Sequence, residues 1–447
     1  MASRHAILKT QLSAKGLLGL IEKPFSAIRD LRREGSVKHS LRDTLFAALA
    51  MFQLKHPSLL DFDRKVRGES DSVLLGNLKR LYRLNSVASD TELRQILDAV
   101  SPESLRPAFR ACHSAIQRSG VLEDFKVLDG QIPISVDGTG LFSSTSVSCP
   151  QCGVKKHRKR KAEYYHQLLV AAIATPNHKT ALPIDFEPIV RSDGEKKNDC
   201  ERNAARRLLP SIRAQYPKRR FIVLEDALSA NGPHLQMLDE LNMDYLISAK
   251  PDGCAHLFKA FDQRRDDEPT RIVEQEKTDE SGFVRGYRYS HDLPLNASHP
   301  SIRVNVLEYW EVDTKGKERN WMWITNLAIS EETVLELVSV ARTRWRIENE
   351  VFNTLKNQGY NLEHNFGHGK QYLSSTLAGL MLLAFLIDQI QEHACGLYQA
   401  ARKRNRIFKN LWSRMQIYLD TFELEDWDTF LRLLAGQGPP LPSVAQS

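Results

Sequence analysis

The stretch "RFIVLED", residues 220–226, restricts the fold more than any other. Its central residues are apolar on both faces, so it reads as an interior strand covered by helices on either side. Its surroundings agree. Three strand patterns precede it: "PISVDGTGLFSS", "YYHQLLVAAIAT" and "ALPIDFEPIV". In the first, Ile134 and Val136 point to one face and Ser135 and Asp137 to the other. A helix pattern, "DCERNAARRLLPSIRAQY", follows with Asp199 as its expected N-cap, and after "RFIVLED" come the helix "PHLQMLDELN" and the strand "DYLISAK". Three strands, helix, strand, helix, strand is an α/β order.

At 447 residues the chain is too long for one ordinary core. Residues 1–125 read as helical, with apolar residues at helical spacing in "LRDTLFAALAMFQLKHPSLLDFDRKV" and "DTELRQILDAVSPESLRPAFRACHSAIQRSG". Residues 126–250 hold the α/β order. Residues 251–328 read as a β-rich insertion of four strands, residues 329–400 return to helices, and 401–447 form a basic, then apolar and proline-rich tail. "LAGLMLLAFLI" is apolar but only eleven residues long, and reads as a buried helix rather than a span. The first residues lack the pattern of a secretory signal, so a soluble intracellular protein is expected. The formal charge of +7 does not by itself imply nucleic acid, but its distribution is uneven: Lys155, Lys156, Arg158, Lys159, Arg160 and Lys161 form one dense run, and 401–409 another. Such runs neutralise phosphates or form solvated loops.

Residues 330–356 read as one long helix whose stripe is Val334, Val338, Ala341, Trp345, Glu348, Phe352 and Leu355. Glu348 therefore stands among apolar positions. An ionised carboxylate is costly to bury unless it is paired or binds a cation. Arg344, one turn earlier, is its simplest partner. Asp137 and Asp226 share the oddity, each ending an apolar strand, where sites form in open α/β sheets. For either aspartate alone, a turn or capping role is the ordinary reading. Three carboxylates converging on one point repel unless divalent cations resolve the charge, and hard oxygen donors suit two Mg²⁺ or Mn²⁺ ions, roughly 4 Å apart, for phosphodiester attack.

These residues resemble the DDE transposases of bacterial insertion sequences, specifically the group with a Tyr–Arg–Glu–Lys signature. That group carries R-W-x-I-E, a phenylalanine and then Leu-Lys; here stand Arg344, Trp345, Ile347, Glu348, Phe352, Leu355 and Lys356. "SVDGTG" resembles the strand of the first aspartate, and "VLEDALSANGPHLQMLDELNMDYLISAKPD" that of the second with its following helix and strand. The resemblance spans about residues 130 to 390, including the β-rich insertion. It implies a ribonuclease H-like mixed sheet flanked by helices, with Asp137, Asp226 and Glu348 holding two Mg²⁺ ions and Arg344 and Lys356 contacting DNA. It further implies cleavage at insertion-sequence ends, strand transfer into target DNA, a helical N-terminal region that recognises inverted repeats, a homodimer on paired ends, and a cytoplasmic, nucleoid-associated bacterial protein. The sequence departs from the group twice: Ala341 stands at the tyrosine position, and Lys356 is one residue further from Glu348. Aligning on Phe352 instead would put Asn349 in the place of the glutamate. A tryptophan of the insertion stacks on a flipped base in the family; Trp310, Trp321 and Trp323 are the candidates here, against ordinary core packing. Two alternatives to a transposase remain: a nuclease of the same fold without strand transfer, and a catalytically silent DNA-binding descendant.

Cys149 and Cys152, in "CPQCG", are half of a zinc site. His157, His166 and Cys200 are the candidates to complete it, and a reduced thiol pair in a turn is the competing reading. "GYNLEHNFGHGKQ" holds Glu363, His364, His368 and Lys370; glycines around His368 argue against a helix, leaving a DNA-touching loop or a surface turn.

Overall fold

A computed structural model describes residues 11–68, 72–191, 200–267 and 272–438. Its centre is a ten-stranded mixed sheet. Strand β1 (Ile132–Ser144) pairs antiparallel with β3 (Glu163–Thr175), which pairs antiparallel with β4 (His178–Ile189), while the short β2 (Gly153–Lys155) adds to β3. On its other side β1 runs parallel to β5 (Phe221–Glu225), and β5 parallel to β6 (Asp244–Ser248). The order β4-β3-β1-β5-β6, with three antiparallel strands followed by two parallel ones, is the ribonuclease H-like arrangement. β5 is buried at every residue, as its doubly apolar pattern requires. The helix after β4 is Glu201–Gln215; its expected N-cap Asp199 lies outside the described residues, and the capping position is Cys200.

The insertion continues this sheet. β7 (Ile272–Thr278), β8 (Val284–Asn296), β9 (His299–Val312) and β10 (Glu318–Thr325) form an antiparallel meander, and β10 pairs with β6. A helix at Pro251–Asp267 precedes them, which strand periodicity in the insertion did not suggest. Burial explains the docking. Ile222, Leu224 and Leu246 of the central strands share one apolar cluster with Tyr287, Leu307, Trp323 and the Val334–Arg342 helix. A second sheet standing apart would leave that face of β5 in water.

The helices flanking the sheet come from both ends of the chain. Leu373–Ala394 is apolar all round because it is buried all round: it is long and apolar enough to cross a membrane, yet its apolar window is 94% buried within the protein. It packs on the Leu41–Gln53 helix and on β4, where Gly379 admits the Phe186 ring. Asp98 fixes the chain that enters it, accepting the backbone N–H groups of Lys370, Gln371 and Tyr372 and that of Leu373, the first residue of the helix, at 2.8–3.1 Å. Beyond it, Gly396–Asn405, Phe408–Thr421 and Trp427–Ala435 are helices that pack back on the first part of the chain. The junction is polar inside. Lys55, with left-handed φ of 61°, buries its ammonium 2.6 Å from Asp388 and over the rings of Tyr360 and Trp412, while the Tyr360 hydroxyl donates to the same carboxylate.

A buried pair of this kind is costly to break from one side. Lys55→Met or Asp388→Leu alone should cost about 3–5 kcal/mol in urea unfolding, and the double variant should recover most of that loss. Additive single losses would mean that the two charges do not act as a unit.

Candidate active site

β1 and β5 are in register from Ile132↔Phe221 to Ser135↔Leu224. Asp137 and Asp226 each lie two residues further on, so they stand level on neighbouring strands about 5 Å apart; Asp226 follows the end of β5, whereas Asp137, expected to end its strand, lies inside β1, which runs on to Ser144 paired with β3. Asp137 Oδ1 accepts the Gly138 N–H at 2.8 Å, and Asp226 Oδ1 accepts the Leu228 N–H at 2.9 Å, capping a short 3₁₀ turn at Ala227–Ser229. The ordinary capping role of Asp226 therefore holds, alongside its place in the site.

The expected long helix through Glu348 is not continuous. The Val334–Arg342 helix ends at a turn over Thr343 and Arg344, and Ile347–Phe352 is a π-helix that runs into Asn353–Asn357. The wider π turn changes the phase of the stripe. Ile347, Val351 and Leu355 become fully buried, and Trp345, expected inside, is turned out at 52% exposure. Glu348 is left on the margin, with its side chain 37% exposed and directed at β1.

Arg344 is the link. Its Nη1 lies 3.0 Å from Asp137 Oδ2 and its Nη2 2.8 Å from Glu348 Oε1, and the guanidinium is almost wholly buried, with its carbon 4.9 Å from the Trp345 ring centre. The sequence pairs Arg344 with Glu348 or assigns it to DNA; the structure gives it both carboxylates at once. Convergence without a protein counter-charge, as the sequence reading had it, is thus corrected: the counter-charge is this arginine.

On its other side Asp137 shares a cavity of about 20 Å³ with Asp226, Glu225 and Glu201. Glu225 is satisfied by His234, whose Nε2 lies 2.5 Å away. Glu201 is a carboxylate that sequence reasoning missed. It opens the Glu201–Gln215 helix, where an acid is unremarkable, but its carboxyl group lies over Gly138 so closely that a side chain at 138 would collide with it. The available signal was Gly138 itself, a residue with no side chain beside Asp137. Burial, and then the Glu348 carboxylate, push Asp137 up to about 7 against the opposing pull of Arg344. Glu201 is raised as well, by burial first and then by Asp226 and Glu225. Asp137 within β1 and Glu201 at a helix start, both held above their ordinary range, mark a site short of positive charge.

The remaining candidates are dispersed. Lys356 pairs with Glu363 at 2.8 Å. Lys155, Lys156, Arg158, Lys159, Arg160 and Lys161 are all exposed, at the start of and within the β2–β3 connection. Trp323 is core, Trp310 lies against Gly286 and donates to Glu276, and Trp321 lies under the Arg342 guanidinium. The tryptophan exposed beside the carboxylates is Trp345. Of the candidates to complete the cysteine pair, His166 reaches it, His157 pairs with Glu163, and Cys200 is exposed; His368, from the glycine-flanked motif, reaches it too.

The family described as Transposase DDE domain matches residues 134–386, the span that runs from β1 through the Leu373–Ala394 helix. No curated protein matches the chain. Among solved structures, a cryo-EM structure of the piggyBac transposase synaptic complex with hairpin DNA is similar at 12% identity and a TM-score of 0.40, over 98% of this chain and 86% of that one.

The raised Asp137 has a stability consequence. Its folded form binds the proton more tightly than an unfolded aspartate does, so its contribution is present at low pH and is lost as pH rises from about 4 through about 7. In the presence of a chelator, Asp137→Asn should melt above the parent protein at pH 8, by on the order of 2 kcal/mol, and the advantage should vanish towards pH 4. An advantage that does not change with pH would exclude this origin.

Proposed function

The chain belongs to the transposase DDE-domain family, and we propose that it cuts DNA at the ends of an insertion sequence and joins the freed 3′-hydroxyl to target DNA. We assign it to the bacterial group with the Tyr–Arg–Glu–Lys signature, acting in the cytoplasm on nucleoid DNA as a homodimer on paired inverted repeats. The observation that carries the reading is the arrangement around Asp137: Glu348 joined to it through Arg344 on one side, Asp226 and Glu201 in the shared cavity on the other. The donors are oxygens only and outnumber the single arginine, which fits hard divalent cations such as Mg²⁺ or Mn²⁺. Asp137, Asp226 and Glu348 would hold two such ions, which activate a water or a 3′-hydroxyl and neutralise charge on the leaving oxygen.

The chain's own groups do the rest. Asp137 and Asp226 are held level by the β1–β5 register, and Arg344, just before the π-helix, joins Glu348 to Asp137. Arg344 keeps the two carboxylates of β1 and the π-helix together and is a strong donor for a scissile phosphate brought between them. Trp345 offers its exposed ring to an unstacked base. Lys356 and the run Lys155–Lys161 contact the phosphate backbone, and the helical region of residues 1–125 reads the ends.

Asp137→Asn, Asp226→Asn and Glu348→Gln should each abolish Mg²⁺-dependent nicking of end-containing DNA while leaving its binding in gel-shift assays intact. Nicking activity in any one of them removes that residue from the catalytic set. Pre-cut ends supplied with target DNA separate the alternatives: cutting without joining means a nuclease, and neither reaction means a silent DNA-binding protein. Lys159→Ala with Arg160→Ala should weaken DNA binding about equally for all sequences and lower the salt slope by about 2. An unchanged slope would take this loop off the DNA.

A further inference from the structure

We propose that Cys149, Cys152, His166 and His368 bind one zinc ion that fastens the segment after the glutamate helix to the edge of the sheet. The four donor atoms lie within 4.8 Å of one another. A tetrahedral zinc with Zn–S of about 2.3 Å and Zn–N of about 2.0–2.1 Å sets its ligands roughly 3.3–3.8 Å apart. The protein has Sγ–Sγ of 3.5 Å between the cysteines, 3.3 Å from each sulfur to His166 Nε2, and 3.5 Å from Cys152 Sγ to His368 Nδ1. Neither Cys149 nor Cys152 is in a disulfide. Cys152, His166 and His368 are more than nine-tenths buried, and His368 Nε2 has no hydrogen-bond partner. Phe142 closes the site from β1, with its ring centre 4.5 Å from that of His368 and 5.5 Å from that of His166. Two sulfurs and two imidazoles in an apolar pocket are the donor set of a closed structural zinc site, unlike the all-oxygen set around Asp137.

The ligands come from three places: the turn before β2, strand β3, and the loop at 361–372. That loop is built to present His368. Gly367 and Gly369 both have left-handed φ, and a side chain at either would collide with Leu373, and with Arg94 or Asp98. Asp98 and Arg94, from the Asp90–Asp98 helix, hold the flanking backbone through Lys370 N and Phe366 O. An ion here ties the β2–β3 connection, with its basic run, to the chain that leaves the Glu348 segment. The site stands on its own ligands and does not depend on the transposase reading.

The test is metal analysis of the full chain, purified without chelator. The expected result is one zinc per chain, released on modification of the cysteines, and a Co²⁺-substituted protein with the intense d–d and thiolate charge-transfer absorption of a tetrahedral S₂N₂ site. Cys149→Ser and Cys152→Ser should lose the metal, and His368→Gln should weaken its retention against a chelator by about 10-fold or more. His157→Gln and Cys200→Ser should keep it. Removing zinc should speed amide hydrogen exchange in residues 149–166 and 361–372 together while β5 and β6 stay protected. Parent protein with less than a tenth of an equivalent of zinc after zinc addition, or octahedral Co²⁺, overturns the proposal whatever the variants do. So does recovery of a Cys149–Cys152 disulfide from protein prepared under argon.

Discussion

A guanidinium shared by two carboxylates is what lets this centre fold. Asp137 and Glu348 come from elements more than two hundred residues apart in sequence, and either would be costly to desolvate alone. Arg344 answers both, and its position just before the π-helix sets where Glu348 falls. The wider turn stores a local irregularity that a regular helix would not need. Its effect is to bury Ile347 and Val351 while keeping Glu348 at the margin, anchored by Arg344 and still partly open to solvent. The price appears in Asp137, which folding holds near neutrality.

Support for this arrangement is layered. The β1–β5 register levels the aspartates, Glu201 and Gly138 close the space beside them, and the insertion covers the other face of β5 and β6. The Leu373–Ala394 helix buttresses β4 from behind and is itself anchored by Asp98 and by the Lys55–Asp388 pair. Each contact joins segments distant in sequence, so the carboxylates are placed by the whole fold rather than by one motif.

Much of this was legible. The doubly apolar "FIVL" placed Asp226 at a strand end, and alternation in "SVDG" put Asp137 on a strand, but not at its end: β1 runs on to Ser144. The buried helix was readable from the unbroken apolar run at 377–387, though it extends to 373–394. What was hidden depended on contacts between distant segments. The turn at Thr343 and Arg344 has no signature in a seven-residue stripe, so Trp345, just after it, was misplaced. Glu201 looked like an ordinary first-turn acid. His368 could not be joined to Cys149 and Cys152, because loop geometry at Gly367 and Gly369 is set by Asp98 and Arg94, far upstream. The Pro251–Asp267 helix, with its polar sequence, carried too weak a periodicity to separate from a loop.

The shared apolar interior of the first and last helices bears on biosynthesis. Leu17, Leu45 and Phe109 pack into the same cluster as Leu383, Trp412 and Phe430. While the nascent chain is still on the ribosome, its early helices have only half their packing partners, and they stay exposed until the late ones emerge. A chain that stops upstream of residue 373 therefore leaves the apolar faces of its early helices without their late packing partners.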